Sequence, residues 1–351
     1  MKYVALRAAL ACLVVTGHCL AQEPGNRGDR PVDAAARAEV IDALSKALNE
    51  RYVFPDVAKQ MEKSVRDRAQ RGEYNGLTTA NAFAKALTEH IRDVSRDKHL
   101  VLNYSPKSMM PQPGSGRSGL PGRDASVNFG FEKIERLPGN VGYLKLNLFV
   151  NPEAGGETAV TAMSFLSRTD ALIIDLRDNV GGSPGMVALI CSYFFTGQPV
   201  HLNDISFRAG NGTNLIQSWT LPYVPGPKYL NKDIYILTSK DTFSAAEEFT
   251  YDLKALKKAT VVGETTKGGA NPGGGVRLND YFAVYIPTGQ AINPITKSNW
   301  EGTGVAPDVP TSREQALQTA HLAALRKLLE NAKEERAIAD LRKIIEAAEK
   351  K

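Results

Sequence analysis

The chain of 351 residues can hold one large domain or two moderate ones, and its 42% hydrophobic and 23% charged residues are ordinary for a globular protein with a sizeable core. Its formal charge of +5, two units of which (Lys2 and Arg7) lie in a leader expected to be removed, is too weak to point to nucleic acid, which needs a concentrated basic surface. Of the three cysteines, Cys12 and Cys19 lie in the same leader, so Cys191 alone would remain and an internal disulfide is excluded.

Lys2 and Arg7 form a positive start, residues 8–16 an apolar run, and Cys19-Leu20-Ala21 places small residues where a signal peptidase reads them. The run is short for a bilayer span, and His18 before Cys19 argues against a lipoprotein. Residues 1–21 are therefore expected to be a cleaved signal peptide, making the protein exported, periplasmic or secreted. No later segment is apolar enough to cross a membrane.

Residues 22–33 read as a flexible leader. Residues 34–104 read as a helical domain, with Val40, Ile41, Leu44 and Leu48 at helical spacing, then Val57, Met61 and Val65 after an interruption at 49–55, then Phe83, Leu87 and Ile91. Residues 105–125 are a loop dense in Pro, Gly and Ser. Strands are expected at 127–134, 141–148, 171–176, 234–238, 260–262 and 281–287, and helices at 153–166, 185–195 and 245–256. Strands alternating with helices over 126–311 imply an α/β core. The tail, 312–351, reads as one or two amphipathic helices. Cys191, in an apolar helix, reads as a buried small hydrophobe.

The segment 238–249 (TSKDTFSAAEEF) ends a buried strand, turns and opens a helix. Ser244 at this junction would sit at the carboxyl edge of the sheet, where N–H groups of the first helical turn can stabilise a developing anion. Ser244-x-x-Glu247 is also a capping-box pattern, and taken alone the cap has the stronger claim. A competing serine, Ser183 in Gly181-Gly182-Ser183-Pro184-Gly185, fits the G-x-S-x-G elbow. The residue after it is a proline, which has no N–H to give an oxyanion hole. Gly181 and Gly182 are better read as a turn with exposed N–H groups.

A serine nucleophile needs a base. His18 leaves with the signal; His201, which begins a strand, and His321, in the terminal helix, read as structural; His90, beside Glu89 on a helix, is expected to be solvated. His99, in Asp97-Lys98-His99-Leu100, lies at the junction of the helical and α/β parts, a common place for a cleft. Glu301 stands in a glycine-rich turn and is a candidate to orient a histidine, or a solvent-facing carboxylate.

The segments DLRDNVGG (175–182), TSKDTFSAAEEF (238–249), VVGETTKGGANPGG (261–274) and EGTGVAPD (301–308) occur in this order in the tail-specific, carboxyl-terminal processing serine peptidases, which the chain resembles over roughly 35–312. It is more similar to the branch of the tricorn core protease and the interphotoreceptor retinoid-binding protein modules, whose N-terminal helices fit the motif Tyr52-Val53-Phe54-Pro55. The resemblance implies a crotonase-like (ClpP/crotonase superfamily) core of ββα units. It implies Ser244 as nucleophile, with the oxyanion held by the Ala245 N–H and one glycine of the Gly181-Gly182 pair. One branch pairs the serine with a lysine 25 residues later; here that position is Gly269, and Lys267 is two residues early. The tricorn branch uses a histidine and a glutamate in the places of His99 and Glu301, so a Ser244–His99–Glu301 triad is expected. The serine that precedes that histidine in the tricorn pattern is Lys98 here. Between Tyr104 and Val127 there is room for a loop and not for the PDZ domain that tail-specific peptidases carry.

The expected function is peptide-bond hydrolysis through an acyl-enzyme on peptide or protein substrates, with no organic cofactor and no metal, since no His/Cys cluster has ligand spacing in sequence. The alternative is a non-catalytic module binding hydrophobic ligands on the same scaffold. The oligomeric state is left open.

Overall fold

Asp33 starts the first helix by accepting the Ala36 N–H at 2.8 Å, and α1 (Ala34–Arg51) packs on α2 (Pro55–Gln70) and α2 on α3 (Ala80–Ser95). The computed structural model describes residues 28–107, 125–210 and 212–350. The expected signal peptide and most of the 105–125 loop lie outside the described residues. The break between α1 and α2 comes at Tyr52, whose extended backbone and the proline opening α2 stop the helix.

Helix α3 ends at Arg96 in the left-handed region (φ 61°). The turn that follows is clamped by Arg92, which donates to the carbonyls of Leu100 (2.6 Å) and Lys98 (2.7 Å). The chain then enters β1 (Val101–Tyr104), which pairs antiparallel with β10 (Phe282–Pro287), Val101 opposite Tyr285. Phe83, Leu87 and Ile91 thus share one apolar core with Phe282, Val284 and Ile286, and the helices are joined to the rest by a sheet.

The central sheet has six strands: β2 (Phe131–Leu137), β3 (Val141–Leu146), β4 (Ala171–Asp175), β7 (Asp233–Thr238), β8 (Thr260–Gly263) and β12 (Val309–Pro310), adjacent in that order. All pairs are parallel except β2 with β3. Every residue of β4 is buried, because α4 (Pro152–Leu166), α5 (Pro184–Cys191) and α6 (Ala245–Ala255) cover one face and α7 (Ala316–Asn331) the other. The tail forms two helices, α7 and α8 (Glu335–Glu349), and Ala316, Ala320 and Ala324 lay α7 against β3, β4 and β7.

Two differences from expectation have local causes. The first core strand begins at Phe131, not 127, because Asn128 and Phe129 take positive φ in a 3-10 turn. A strand was expected to begin at His201, as β5 (His201–Ala209) does, but its hairpin partner β6 (Gly212–Trp219) and the neighbouring β11 (Gly289–Ile292) were not expected. Strand β6 is exposed along nearly its whole length, so it carries no burial alternation.

Candidate active site

The site forms where the loops after β4 and β7 meet at the carboxyl edge of the sheet, the usual place for chemistry in a parallel sheet. The two loops are tied by the Phe243 N–H to the Asn179 carbonyl (3.0 Å), Ser239 Oγ to the Arg177 carbonyl (2.6 Å) and Thr242 Oγ1 to the Leu176 carbonyl (2.8 Å). They deliver Ser244 to the N-terminus of α6 at φ 57° and ψ −123°, a conformation that a non-glycine residue holds only when its surroundings over-determine it.

Glu247 is the chief restraint. The Ser244 N–H donates to its Oε2 (2.9 Å), the half of the capping box expected from sequence. The same buried carboxylate accepts Thr266 Oγ1 (2.5 Å), the Gly268 N–H (2.6 Å) and the Gly269 N–H (2.9 Å), so one side chain fixes both the serine and the 266–269 loop. Burial raises its pKa against the pull of these donors. Glu247→Gln would turn an amide NH₂ toward two of them. It is expected to cost about 3 kcal/mol of stability, read as a lower urea midpoint at unchanged slope; an unchanged midpoint would remove Glu247 from this role.

Gly181 lies against the serine. Its φ is +107°, and a Cβ there would come within 2.7 Å of Ser244 Cβ. The expectation of exposed N–H groups on both glycines is corrected, because the Gly181 N–H donates to Asn179 Oδ1 at 2.8 Å. Gly182 lines a cavity of about 160 Å³ together with Ser244 and Ala245. Among the described residues neither the Gly182 N–H nor the Ala245 N–H has a hydrogen-bond acceptor. Ser183 precedes Pro184 at the start of α5, and its own N–H is bonded to the Phe149 carbonyl.

His99 is nearly buried, and neither ring nitrogen has a hydrogen-bond partner. Its ring packs on Phe243 (centroids 4.4 Å apart) and stacks on Tyr285 (6.0 Å). Burial, then the charges of Lys267 and Arg92, push its pKa down to about 4, so the imidazole is neutral at physiological pH. Glu301 Oε2 accepts the N–H groups of Ala270 (2.6 Å) and Asn271 (3.2 Å), while Oε1 is buried without a partner. Burial, then Asp97, push Glu301 up to about 7.

Sequence reasoning did not assign Asp97 a role. It is buried and accepts the His99 N–H (3.0 Å), Asn271 Nδ2 (3.0 Å) and the Tyr52 hydroxyl (3.2 Å), and its Oδ1 lies 3.9 Å from His99 Nδ1. The Asp97-x-His99 spacing was the available signal. Ligand atoms of Asp97, His99 and Glu301 all lie within 4.8 Å of one another, a group that could hold a metal ion and that the fold assembles from distant segments.

The structure therefore brings together two groups: Ser244 with Ala245, Gly181 and Gly182, and His99 with Glu301 and Asp97. They meet through Phe243, the residue before Ser244, and through Tyr285 and Gly269, which line the Ser244 cavity and touch or crowd the His99 ring. No hydrogen bond joins His99 to Ser244 or to Glu301. At Gly269, the position of the lysine in the other branch, a Cβ would come within 2.2 Å of the Phe243 ring and 2.8 Å of His99 Cε1. Lys267 Nζ instead lies 4.7 Å from the Phe243 ring centroid, and Lys98 donates to the Lys267 carbonyl. The remaining described histidines bond elsewhere. His201 pairs with Asp204 and His321 with the Pro138 carbonyl, and His90, expected to be solvated, is half-buried against the Tyr74 hydroxyl at 2.9 Å. Cys191 is buried, and burial raises its thiol pKa.

Two family models match the chain: peptidase family S41 over residues 140–311, and the N-terminal domain of peptidase S41 in eukaryotic IRBP over residues 34–128. The chloroplastic carboxyl-terminal-processing peptidase 2 of Arabidopsis thaliana is 26% identical over 197 residues, or 53% of this chain and 36% of that protein, so the match spans about a third of that relative's length. A solved structure from Parabacteroides merdae is similar at TM-score 0.60 and 19% identity, over 85% of this chain and 99% of that one. The tricorn protease is similar at TM-score 0.51 and 14% identity, over 91% of this chain and 38% of that one. At such identities the solved structures speak for a shared fold: mixed α/β sheets with an N-terminal helical region. The family models, matched in order along most of the chain, carry the assignment further: this chain belongs to peptidase family S41.

Proposed function

We propose that the protein is a serine peptidase that cleaves peptide or protein substrates through an acyl-enzyme on Ser244, with His99 as base and Glu301 as the carboxylate that balances it. Ser244 Oγ attacks the scissile carbonyl as His99 takes its proton, and the oxyanion is received by the N–H groups of Ala245 and Gly182. His99 then gives the proton to the leaving amine, and water enters to release the acyl group. The observation that carries this reading is Ser244 itself, held at positive φ beside two unengaged N–H groups in a cavity that His99 borders through Gly269 and Tyr285. His99 makes no hydrogen bond to Ser244 in the resting geometry, and the reading requires the two to draw together on substrate binding, as catalytic hydrogen bonds tighten from apo geometry. Within the same reading the core is of the crotonase type, Gly181 supports the serine and is not an oxyanion donor, and residues 1–21 direct export; a mature N-terminus other than Gln22 would count against the signal cleavage.

A cavity of about 160 Å³ is small for a hydrophobic carrier, whose ligand sites run from roughly 300 Å³ upward. Among the described residues no helix is long and apolar enough to cross a membrane. The test is a fluorophosphonate probe on the purified protein, with the labelled peptide identified by mass. Modification of Ser244 is expected; an unlabelled Ser244 in folded protein would overturn the reading.

The pH dependence follows from the two shifted groups. His99 accepts a proton only when neutral, which its depressed pKa allows down to about 4. Glu301 balances an imidazolium only when ionised, and its charge is lost as pH falls through about 7. The ratio kcat/KM is therefore expected to rise with pH through about 7. In Glu301→Gln this limb should vanish, leaving a lower, flatter profile; an unmoved limb would assign it to another group.

A further inference from the structure

We infer that the cavity beside Ser244 is the pocket for the side chain of the residue whose carbonyl is attacked, and that it selects a compact cation, the ammonium of a lysine-type side chain. This rests on the reading of Ser244 as nucleophile. The cavity starts at Ser244, Gly182 and Ala245, is walled by Ile205, Ala291 and Trp300, and is also lined by Glu248 and Asn203.

Ser244 and Glu248 are four residues apart at the start of α6, so they share one face about 6 Å apart along the axis, a span that a chain of four methylenes bridges. Glu248 and Asn203 are both more than nine-tenths buried. Glu248 Oε1 and both polar atoms of the Asn203 carboxamide make no hydrogen bond of ordinary geometry, although the carboxamide lies near enough to the Glu248 carboxylate to pull its pKa down against burial. One turn further, Asp252 is also buried; its Oδ1 accepts Asn293 Nδ2 at 3.0 Å and its Oδ2 has no partner. Two buried carboxylates at this spacing repel, and among the described residues neither forms an ion pair with a lysine, arginine or histidine. Burial holds Glu248 at about 7 and raises Asp252 well above the ordinary carboxylate range, with Glu248 adding to the shift.

Unpartnered buried polar groups of this number take their hydrogen bonds from outside the protein, from solvent in the free enzyme and from a ligand in the complex. The vacant hydrogen-bonding atoms are mostly acceptors: a carboxylate oxygen of Glu248 and the carboxamide oxygen of Asn203. An ammonium offers three donors and no acceptor, and matches them. The apolar wall of Ile205, Ala291 and Trp300 suits the methylene stem. An apolar side chain would leave the acceptors buried and unpaired.

Matched N-acetylated fluorogenic peptides that differ only before the scissile bond, lysine against norleucine, give the first arm of the test. The lysine peptide is expected to show at least a tenfold higher kcat/KM. In Glu248→Gln the lysine-to-norleucine ratio, which cancels any general loss, should fall below one. Equal or better cleavage of norleucine by the wild-type protein overturns the inference and leaves the peptidase reading intact. Cleavage that needs a free N-terminus also overturns it, since the ammonium would then be the α-amino group. Calorimetric titration of n-butylammonium against 1-pentanol gives a second arm that needs no turnover. At least tenfold tighter binding of the ammonium is expected, with the difference lost in Glu248→Gln, and equal or tighter binding of the alcohol overturns the inference. An ammonium preference without fluorophosphonate labelling of Ser244 would overturn the nucleophile and retain the pocket.

Discussion

Replacing Ser244 by alanine is expected to lower kcat by about 10⁴- to 10⁶-fold while leaving the fold and its unfolding midpoint in place. The expectation follows from what the serine does not do. Its N–H, not its hydroxyl, is the group that Glu247 holds, and alanine keeps that N–H. The loss should appear in kcat with little change in KM, because the cavity walls that bind substrate remain. A residual rate is expected, since the Ala245 and Gly182 N–H groups still favour an oxyanion over bulk water. A Ser244→Ala protein that retains wild-type kcat would show that another residue carries the nucleophile.

Gly269→Ala is the second large effect, and it is steric. The added methyl would lie 2.2 Å from the Phe243 ring and 2.8 Å from His99 Cε1, so both rings must move. Displacing the base by about 1 Å costs on the order of 10²-fold in rate. Over-packing adds about 1–3 kcal/mol of destabilisation. Loss of at least 100-fold in kcat/KM is therefore expected in a protein that still folds. Gly269→Lys, which restores the residue type of the other branch, is expected to fare no better, because its first carbon meets the same two rings. A side chain at 269 and the present His99 ring thus cannot share this space. A Gly269→Ala enzyme with wild-type kinetics would mean that the position of His99 does not matter.

Much of the α/β architecture was legible because the period and burial of its elements leave a plain trace. The strand 171–175 is apolar but for its last residue, as a strand covered on both faces must be, and the helices of 34–95 repeat their apolar residues at helical spacing. The β5–β6 hairpin left no such trace, since β6 is exposed nearly throughout. Ser244 was legible only through its junction of strand, turn and helix together with the ordered motifs. The local pattern was a capping box, and the structure shows that Glu247 does occupy the Ser244 N–H. Asp97 was missed although it stands two residues from His99, because its role depends on Tyr52 and Asn271, which are 45 and 174 residues away. Which glycine keeps an unengaged N–H was likewise beyond sequence: it turns on a single bond from the Gly181 N–H to Asn179. Glu248 was given no role from sequence, and only the packing of β5 and β11 over α6 buries it beside the serine.

The central claim is that Ser244 and His99 act as one unit although no hydrogen bond joins them in the resting geometry. Residues that act as a unit are grossly non-additive in kcat, whereas independent sites add. The decisive measurement is kcat for Ser244→Ala, His99→Ala and the double variant under one set of conditions. The account predicts that the double variant is no slower than Ser244→Ala alone. A double variant slower than Ser244→Ala by the full factor that His99→Ala costs the wild-type enzyme would contradict it.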